Sequence, residues 1–181
     1  NKGEDSVCTT SDLSYRLVDD IQINFSNTDF IQINQQVNLA MVEQALAWLM
    51  PDLNDHILDL FCGLGNFSLP LARKVNRVIG VEGVQNMVDK ASANAVFNKI
   101  DNCSFFQEDL NREWLSENWS KNEFSKVLLD PARAGAELAV AQVVKLAIPT
   151  VLYVSCEPTT LARDSQLLLL AGYKIEKIGL I

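Results

Sequence analysis

Residues 56–75 read "HILDLFCGLGNFSLPLARKV" and combine three local signals. The first seven residues are mostly apolar, which predicts a buried strand, and the last seven predict a short helix. Gly63 and Gly65 lie between them and predict a tight turn, because glycine adopts backbone angles that other residues avoid. Two glycines also allow the backbone to come close to a ligand at the start of a helix. This unit of strand, glycine turn and helix is therefore a candidate binding site.

Strand and helix patterns alternate through the rest of the chain. The strand-like runs are "RVIGVEG" (77–83), "CSFFQED" (103–109), "KVLLDPA" (126–132), "TVLYVSC" (150–156) and "YKIEKIGLI" (173–181). Helical patterns lie at 87–95, 137–147 and 158–170. Apolar strands that alternate with helices are typical of an α/β fold with a mostly parallel sheet covered on both faces. Ligands of such sheets bind beyond the carboxyl ends of the strands, so the residues at these ends are the site candidates.

The residues upstream of this alternation have a different pattern. The run "LSYRLVDDIQINF" (13–25) alternates apolar and polar residues around Asp19-Asp20 and predicts a two-stranded hairpin. Residues 36–50 predict a helix that ends at Pro51. The predicted apolar face of this helix consists of Val37, Ala40, Met41, Ala45, Trp48 and Leu49. We therefore expect an N-terminal hairpin and linker at 1–34 and the main domain at 35–181.

The composition restricts the class of protein. The chain has the size of one domain, and its formal net charge of −8 argues against nucleic-acid binding by bulk electrostatics. Its four cysteines are far apart and form no C-x-x-C pair, so we expect no metal site, no disulfide framework and a cytoplasmic location. No apolar run is long enough to cross a bilayer, and the first residues do not resemble a signal peptide. We expect a monomer without a membrane partner, because nothing in the sequence indicates an oligomer.

Two acidic residues follow the next two strands after the glycine turn. Glu82 ends the second strand, where a carboxylate can accept both hydroxyls of a ribose, and Asp109 follows the third strand, a position that often faces an adenine amino group. Each is equally compatible with an ordinary solvated acid at a strand end. Ser68 stands where a nicotinamide-dinucleotide fingerprint needs glycine, which weakens that interpretation. A glycine turn with one acid after each of the next two strands resembles the S-adenosylmethionine-dependent methyltransferase fold.

Cys156 differs from the other cysteines because of its position. Pro158 suits the first turn of a helix, so Cys156 lies near a helix N-terminus, where the helix dipole favours a thiolate nucleophile. Glu157 works against this effect. A Cys–His hydrolase is excluded by geometry, because His56, the only histidine, starts the first strand at the opposite edge of the sheet. Cys62 and Cys103 are expected to be small buried apolar residues.

Asp130 ends the fourth strand and is expected beside Cys156, because strands four and five are neighbours in the methyltransferase fold. Asp130-Pro131 is either a simple turn or a carboxylate beside the methyl donor and the base to be methylated. A thiolate beside a methyl donor suits a pyrimidine, since its addition to carbon 6 makes carbon 5 nucleophilic. A base must then remove the carbon 5 proton before the thiol leaves.

Five segments resemble the RNA uracil-5 methyltransferases. They are "FIQIN" (30–34), "DLFCGLGNFSLPLA" (59–72), "GVEGV" (80–84), "KVLLDPARAG" (126–135) and "VLYVSCEPTTLARDS" (151–165). The "DPARAG" motif is similar to that of the bacterial 23S ribosomal RNA enzymes that carry a 4Fe–4S cluster. The resemblance runs from about residue 14 to the end. It implies a Rossmann-like methyltransferase fold truncated before its last strand, S-adenosylmethionine as cofactor and 23S ribosomal RNA as partner.

The resemblance also implies roles for single residues. Gln32, Phe61 and Asn66 would contact S-adenosylmethionine, Glu82 would hold its ribose, Asp109 would lie near its adenine, Asp130 would line the junction of cofactor and uracil, and Cys156 would be the nucleophile. Without the resemblance, Gln32 is a polar residue on an exposed strand face. Two departures are Asp109 and Glu157, each at a position where asparagine is common in relatives.

Several parts of the family pattern are expected outside this chain. They are the proton-removing glutamate, expected beyond Ile181, the RNA-binding domain and the cysteines that hold the iron–sulfur cluster. We therefore expect this fragment to bind cofactor without turnover, and RNA affinity to come mainly from the other parts.

Three alternatives remain open. The first is a methyltransferase for another substrate, such as a transfer RNA uridine, a cytosine, a protein or a small molecule. Methylation of an adenine amino group needs no cysteine, so an active Cys156→Ala variant would favour that reaction. The second is a non-catalytic RNA- or protein-binding module with the same fold, which failure to bind S-adenosylhomocysteine would favour. The third is a dehydrogenase, which nicotinamide binding would reveal.

Overall fold

The computed structural model describes residues 13–29, 32 and 34–181, and its first element is the hairpin. Strand β1 (Leu13–Arg16) pairs antiparallel with β2 (Gln22–Phe25), which confirms the predicted hairpin. Asp19 and Asp20 adopt left-handed backbone angles in the turn, with φ of 55° and 61°. Aspartate tolerates this conformation better than most residues, which explains how the turn forms without glycine. The division at residue 34 into linker and main domain stays a prediction.

Helix α1 (Gln35–Leu49) begins at Asn34, whose side chain accepts hydrogen bonds from two backbone N–H groups of the first turn, and ends before Pro51. Its buried residues are Asn38, Met41, Val42, Ala45 and Leu49. The predicted face was therefore partly wrong, because Val37 and Ala40 are exposed. Asn38 can be buried because its side chain is hydrogen-bonded to a residue of the glycine turn. The spacing of apolar residues along the helix does not reveal such a partner.

The main sheet has five strands: β3 (His56–Leu60), β4 (Arg77–Glu82), β5 (Cys103–Gln107), β6 (Lys126–Leu129) and β7 (Thr150–Tyr153). Three helices connect strands of this sheet, α2 (Ser68–Ala72), α3 (Gln85–Phe97) and α4 (Glu137–Lys145), and α5 (Pro158–Leu170) follows the last strand. The strand order is β5-β4-β3-β6-β7, and every pair is parallel. The α/β prediction is confirmed, as is the pairing of the fourth and fifth predicted strands.

The sheet is covered on both faces, as predicted. One apolar cluster joins the hairpin, α1, α2 and α3 to one face, and Ile21, Ile23 and Ile57 are fully buried in it. The other cluster lies between the opposite face and α4 and includes Trp114 and Trp119. Burial on both faces explains why the strands lack the alternation of a half-solvated sheet.

The predicted final strand at 173–181 is wrong. This segment forms no strand, and residues 174–181 are exposed. A strand requires a neighbouring backbone with which to exchange hydrogen bonds. The segment instead passes α1, so closely that a Cβ added to Gly179 would lie 2.9 Å from the ring of Trp48.

Across residues 13–29, 32 and 34–181, helices are too short for a bilayer crossing. The longest is α1, with 15 residues.

Candidate functional site

A groove of about 1920 Å³ begins where the main-sheet strands end and continues along β7 to the segment 171–181. Six of the predicted site residues line it: Gln32, Phe61, Asn66, Glu82, Asp130 and Cys156. They come from the segment before α1 and from the ends of β3, β4, β6 and β7. The parallel arrangement accounts for this gathering, because parallel strands present their carboxyl ends at one edge.

The glycine turn after β3 has an unusual backbone. Phe61, Gly63 and Gly65 all have positive φ, at 65°, 55° and 91°. Phenylalanine rarely takes this conformation, which costs on the order of 1 kcal/mol and persists only where surrounding contacts impose it. The Cys62 N–H donates to the carbonyl of Val81 at 3.1 Å, which ties the turn to the end of β4. Contacts with the end of β4 thus fix the conformation of the turn at the edge of the groove.

Asn66 is fixed by a polar network that sequence reasoning missed. Its Oδ1 accepts hydrogen bonds from Tyr15 Oη at 3.1 Å and from Asn38 Nδ2 at 2.9 Å, and its Nδ2 donates to Asn38 Oδ1 at 2.9 Å. Burial raises the pKa of Tyr15, so its hydroxyl stays protonated as a donor. Both polar atoms of Asn66 are therefore engaged with β1 and α1. A polar residue among the buried positions of α1 was the only available sequence signal.

Glu82 bridges two turns at the end of β4. Its Oε2 accepts a hydrogen bond from Gly63 N–H at 3.2 Å, and its Oε1 accepts one from Val84 N–H at 3.1 Å. Each oxygen retains lone pairs for further donors. The carboxylate is therefore held in place and can still accept hydroxyl groups of a sugar.

Asp109 is not among the residues that line the groove. Its Oδ1 accepts a hydrogen bond from Asn111 N–H at 3.0 Å, and its Oδ2 lies 3.0 Å from Arg112 Nε. These are the contacts of a partly solvated acid in a local turn, which was the alternative interpretation. The adenine contact of Asp109 stays a prediction.

Two acids near the groove have perturbed titration. Asp59 is fully buried, and Ser68 Oγ donates a hydrogen bond of 2.5 Å to its Oδ2, whereas its Oδ1 has no partner among the described residues. Burial raises the pKa of Asp59 to about 7, and the charges of Asp130 and Glu82 add to the effect. Burial also raises the pKa of Asp130 to about 6. The nucleotide fingerprint needs glycine at position 68. Ser68 instead links the end of the glycine turn to β3 through its hydrogen bond with Asp59.

Cys156 is exposed and lies two residues before α5, which begins at Pro158 as predicted. Glu157 caps this helix, because its Oε1 accepts a hydrogen bond from Thr159 N–H at 3.1 Å. That hydrogen bond lowers the pKa of Glu157, so a carboxylate shares the positive helix end with the thiol.

Cys62 is buried and His56 lies as predicted, whereas Cys103 is only partly buried and Cys8 lies outside the described residues. Burial raises the pKa of the Cys62 and Cys103 thiols, which disfavours thiolates there. His56 is the first residue of β3, at the opposite end of the sheet from Cys156.

The edge of the sheet offers groups that can contact a nucleoside. The glycine turn allows close approach, Glu82 offers acceptors for ribose hydroxyls, and Asp130 adds a carboxyl group at the same sheet edge. Among the residues that the structure describes, no three His, Cys, Asp or Glu side chains converge in a way that would hold a metal ion.

Comparison with solved structures agrees with this geometry. The tRNA (uracil-54, C5)-methyltransferase of Pyrococcus abyssi, solved with S-adenosyl-L-homocysteine, superposes with a TM-score of 0.73 and 25% identity, over 86% of this chain and 37% of that one. The magnesium protoporphyrin IX methyltransferase of Synechocystis, solved with S-adenosylmethionine, superposes with a TM-score of 0.60 and 21% identity, over 83% and 78%. The chain therefore has the Rossmann-like fold of S-adenosylmethionine-dependent methyltransferases.

Sequence comparison narrows this class. The family model described as tRNA (Uracil-5-)-methyltransferase matches residues 12–181, so the chain belongs to that family. Over 181 residues it is 60% identical to the 23S rRNA (uracil(1939)-C(5))-methyltransferase RlmD of Colwellia psychrerythraea, covering 99% of this chain and 38% of that protein. The chain thus spans about two fifths of the length of this relative. The resemblance stated from the sequence motifs is confirmed.

Proposed function

We propose that this chain is the catalytic part of an S-adenosylmethionine-dependent methyltransferase that acts on carbon 5 of a uridine in 23S ribosomal RNA. The observation that carries the proposal is the placement of Asp130 and Cys156. They follow the paired strands β6 and β7 and line the same groove as the glycine turn and Glu82. A nucleophile is thereby combined with a nucleoside-binding edge.

The groove residues divide into a cofactor side and a uracil side. Phe61 and the glycine turn would contact the adenosyl group, Gln32 would contact the cofactor from the segment before α1, and Glu82 would hold the ribose. Asn66 would act mainly by holding the turn, since its amide is already paired. Asp130 would lie at the junction with the uracil. Asp109 keeps its proposed place near the adenine with the least structural support.

Cys156 would perform nucleophilic catalysis. When bound, S-adenosylmethionine supplies an electrophilic methyl group on a sulfonium sulfur. The Cys156 thiolate adds to carbon 6 of the uracil, and the electron pair of the 5,6 double bond moves towards the carbonyl at carbon 4, which makes carbon 5 a nucleophile. Carbon 5 would take the methyl group as the sulfur–methyl bond breaks, with neutral S-adenosylhomocysteine as the leaving group. Loss of the carbon 5 proton to a general base would then re-form the double bond and expel the thiolate. Cys156 is exposed, so a uracil ring can reach its sulfur.

Transfer RNA is the second candidate substrate. The Pyrococcus abyssi protein is described as a tRNA (uracil-54, C5)-methyltransferase and shares the fold over 86% of this chain. The 60% identity with a 23S rRNA enzyme favours ribosomal RNA, because a relative that close is expected to share more of its site.

The remaining proposals concern the full-length protein. The relatives' names support a ribosomal RNA partner, and the resemblance supports a 4Fe–4S cluster outside this chain. A cytoplasmic monomer is proposed from the cysteine content and from the nature of the substrate.

The test is covalent trapping. The full-length protein is mixed with S-adenosylmethionine and a 23S ribosomal RNA segment that carries 5-fluorouridine, and its intact mass is measured. Fluorine cannot leave as a proton, so the enzyme stalls as a cysteine-linked adduct. We expect an RNA-linked mass in the wild type and in Cys103→Ala, which lies outside the groove, and none in Cys156→Ser.

The outcomes separate the alternatives. An adduct with a transfer RNA arm but not with the 23S segment would establish the second substrate. Cofactor binding without any adduct would refute uracil chemistry, and no S-adenosylhomocysteine binding by folded protein would favour the non-catalytic module.

A further inference from the structure

The loop from β6 to α4, residues 130–136, is fastened to α5 at three backbone positions. Thr160 Oγ1 donates to the carbonyl of Arg133 at 3.1 Å, and Arg163 Nη2 donates to the carbonyl of Ala134 at 3.0 Å. The N–H of Ala136 donates to Asp164 Oδ2 at 2.6 Å. The loop begins with Asp130 and α5 follows Cys156 directly, so these bonds join the segments that carry the two groups.

Asp164 is the centre of this contact. Its side chain is fully buried and accepts three hydrogen bonds. Besides Ala136 N–H, the donors are Tyr153 Oη at 2.6 Å and Arg163 Nε at 2.8 Å, and Arg163 Nη2 forms an ion pair with Oδ1 at 2.7 Å. Burial and then the Asp164 carboxylate raise the pKa of Tyr153, so its hydroxyl remains a donor. A buried carboxylate with this many donors holds its partners firmly.

Gly135 allows the loop to come this close. Its φ is +77°, and a Cβ there would lie 2.6 Å from both Asp164 Oδ2 and Arg163 Nη2. Any other residue would push the loop away from α5 and would also be strained in this backbone conformation. The contact therefore depends on two residues that are 29 positions apart in the sequence: Gly135 permits the close approach, and Asp164 accepts the hydrogen bonds.

We propose, on the basis of the function proposed above, that Asp164 is a positioning residue that sets the distance between Asp130 and Cys156. The glycine turn and Glu82 are held by β3, β4 and α1, and none of their hydrogen bonds involves this contact. Loss of Asp164 therefore weakens the uracil step and spares the binding of S-adenosylhomocysteine, which lacks the sulfonium charge near Asp130. Asp164 is the last residue of "LARD" (161–164), a motif to which none of the proposed catalytic or cofactor roles belongs.

The test uses the full-length protein and three variants of the contact: Asp164→Asn, Tyr153→Phe and Gly135→Ala. Each is assayed for the rate of adduct formation with 5-fluorouridine RNA, for S-adenosylhomocysteine affinity and for hydrogen exchange in residues 130–136 and 61–67. We expect adduct formation to slow about tenfold or more in Asp164→Asn and Gly135→Ala, because small displacements of reacting groups cost large factors in rate. Tyr153→Phe loses one donor, keeps the apolar ring and should slow it about threefold.

Cofactor affinity should stay within about twofold of wild type in all three variants, since the sites are held separately. Exchange should rise in 130–136 and not in 61–67. Gln166→Ala, at an exposed position on α5, is the matched control and should match the wild type throughout.

Three results would overturn the inference. They are unchanged adduct rates in Asp164→Asn and Gly135→Ala, an equal loss of cofactor affinity, and an unchanged exchange rate in 130–136. If Asp164→Asn does not fold, Tyr153→Phe decides between the same outcomes. A wild type that forms no adduct would refute the proposed function itself, which distinguishes that failure from failure of the inference alone.

Discussion

Asp130 combines burial with a position at the edge where a cationic cofactor is proposed to bind. Its pKa of about 6 means that its charge changes near neutral pH. S-adenosylmethionine carries a positive sulfonium, whereas S-adenosylhomocysteine has a neutral sulfide. The charge of Asp130 should therefore affect the affinity for the first molecule more than the affinity for the second. Comparing the two affinities separates the effect of this charge from that of the other contacts.

We predict that the preference for S-adenosylmethionine over S-adenosylhomocysteine falls about tenfold between about pH 7.5 and pH 5. Below its pKa of about 6, Asp130 is neutral and no longer attracts the sulfonium. Isothermal titration calorimetry at several pH values measures both affinities. The preference should be independent of pH in Asp130→Asn, and a wild-type profile in that variant would show that another group is responsible.

Glu82 and Asp109 were both predicted cofactor contacts, and the structure treats them differently. We predict that Glu82→Ala weakens S-adenosylhomocysteine binding about 30-fold or more, because two charge-assisted hydrogen bonds to a ribose are lost. Asp109→Ala should change the affinity less than about threefold, since Asp109 does not line the groove and its local contacts are those of an exposed acid. Calorimetry on both variants checks this, and an equal loss would restore the predicted adenine contact of Asp109.

At the scale of elements, α1 and the glycine turn are joined by the amide pair of Asn38 and Asn66. The two hydrogen bonds of 2.9 Å are the reason that an asparagine is only 2% exposed on this helix. Removing one partner leaves the other buried without its bonds, so removing the second partner as well adds less than removing the first did.

We therefore predict that Asn38→Ala and Asn66→Ala each destabilise the chain by about 2 kcal/mol, and that the double variant loses about 1–2 kcal/mol less than their sum. Urea unfolding of the four proteins gives this coupling energy. Tyr15→Phe, which removes one donor to Asn66, is the milder comparison and should cost about 1 kcal/mol. Additive losses for the pair would mean that the two amides are not coupled.

At the scale of the whole molecule, the buried acids have opposing effects on stability. For Asp55, burial favours a higher pKa, but hydrogen bonds from Lys126 and neighbouring groups lower it overall. Its contribution is present at neutral pH and is lost in acid. Asp59 and Asp130 have raised pKa values, so their contribution is present below about pH 4, near the unfolded value, and is lost as pH rises through the folded values of about 7 and 6.

We predict that the free energy of unfolding decreases as the pH rises from about 5 to about 8. Asp59 accounts for on the order of 3 kcal/mol of this decrease. The charged carboxylate of Asp59 must be accommodated away from solvent, and one of its oxygens has no hydrogen-bond partner within the described part of the chain. Thermal or urea unfolding of the cofactor-free protein across this range measures the slope. Asp59→Asn should flatten it, whereas Asp109→Asn, the same change at a partly exposed acid, should leave it as in the wild type.

The order and type of most elements could be predicted from the sequence because they depend on local patterns. The helix at 158–170 was predicted with its observed ends, since Pro158 and the apolar spacing are signals within the segment itself. The failures came where a segment needed a distant partner. Residues 173–181 have strand-forming residues, yet they lie beside α1 and pair with no strand.

The candidate site shows the same division. The amino-acid sequence alone determined which residues stand at the strand ends, and hence Glu82, Asp130 and Cys156. Only the tertiary structure decided that Asp109 lies outside the groove, that Ser68 braces Asp59, that Asn38 holds Asn66 and that Asp164 holds the loop after Asp130. Periodicity is a property of neighbouring residues, whereas burial of a polar side chain is tolerated only when a partner far away in the sequence satisfies it.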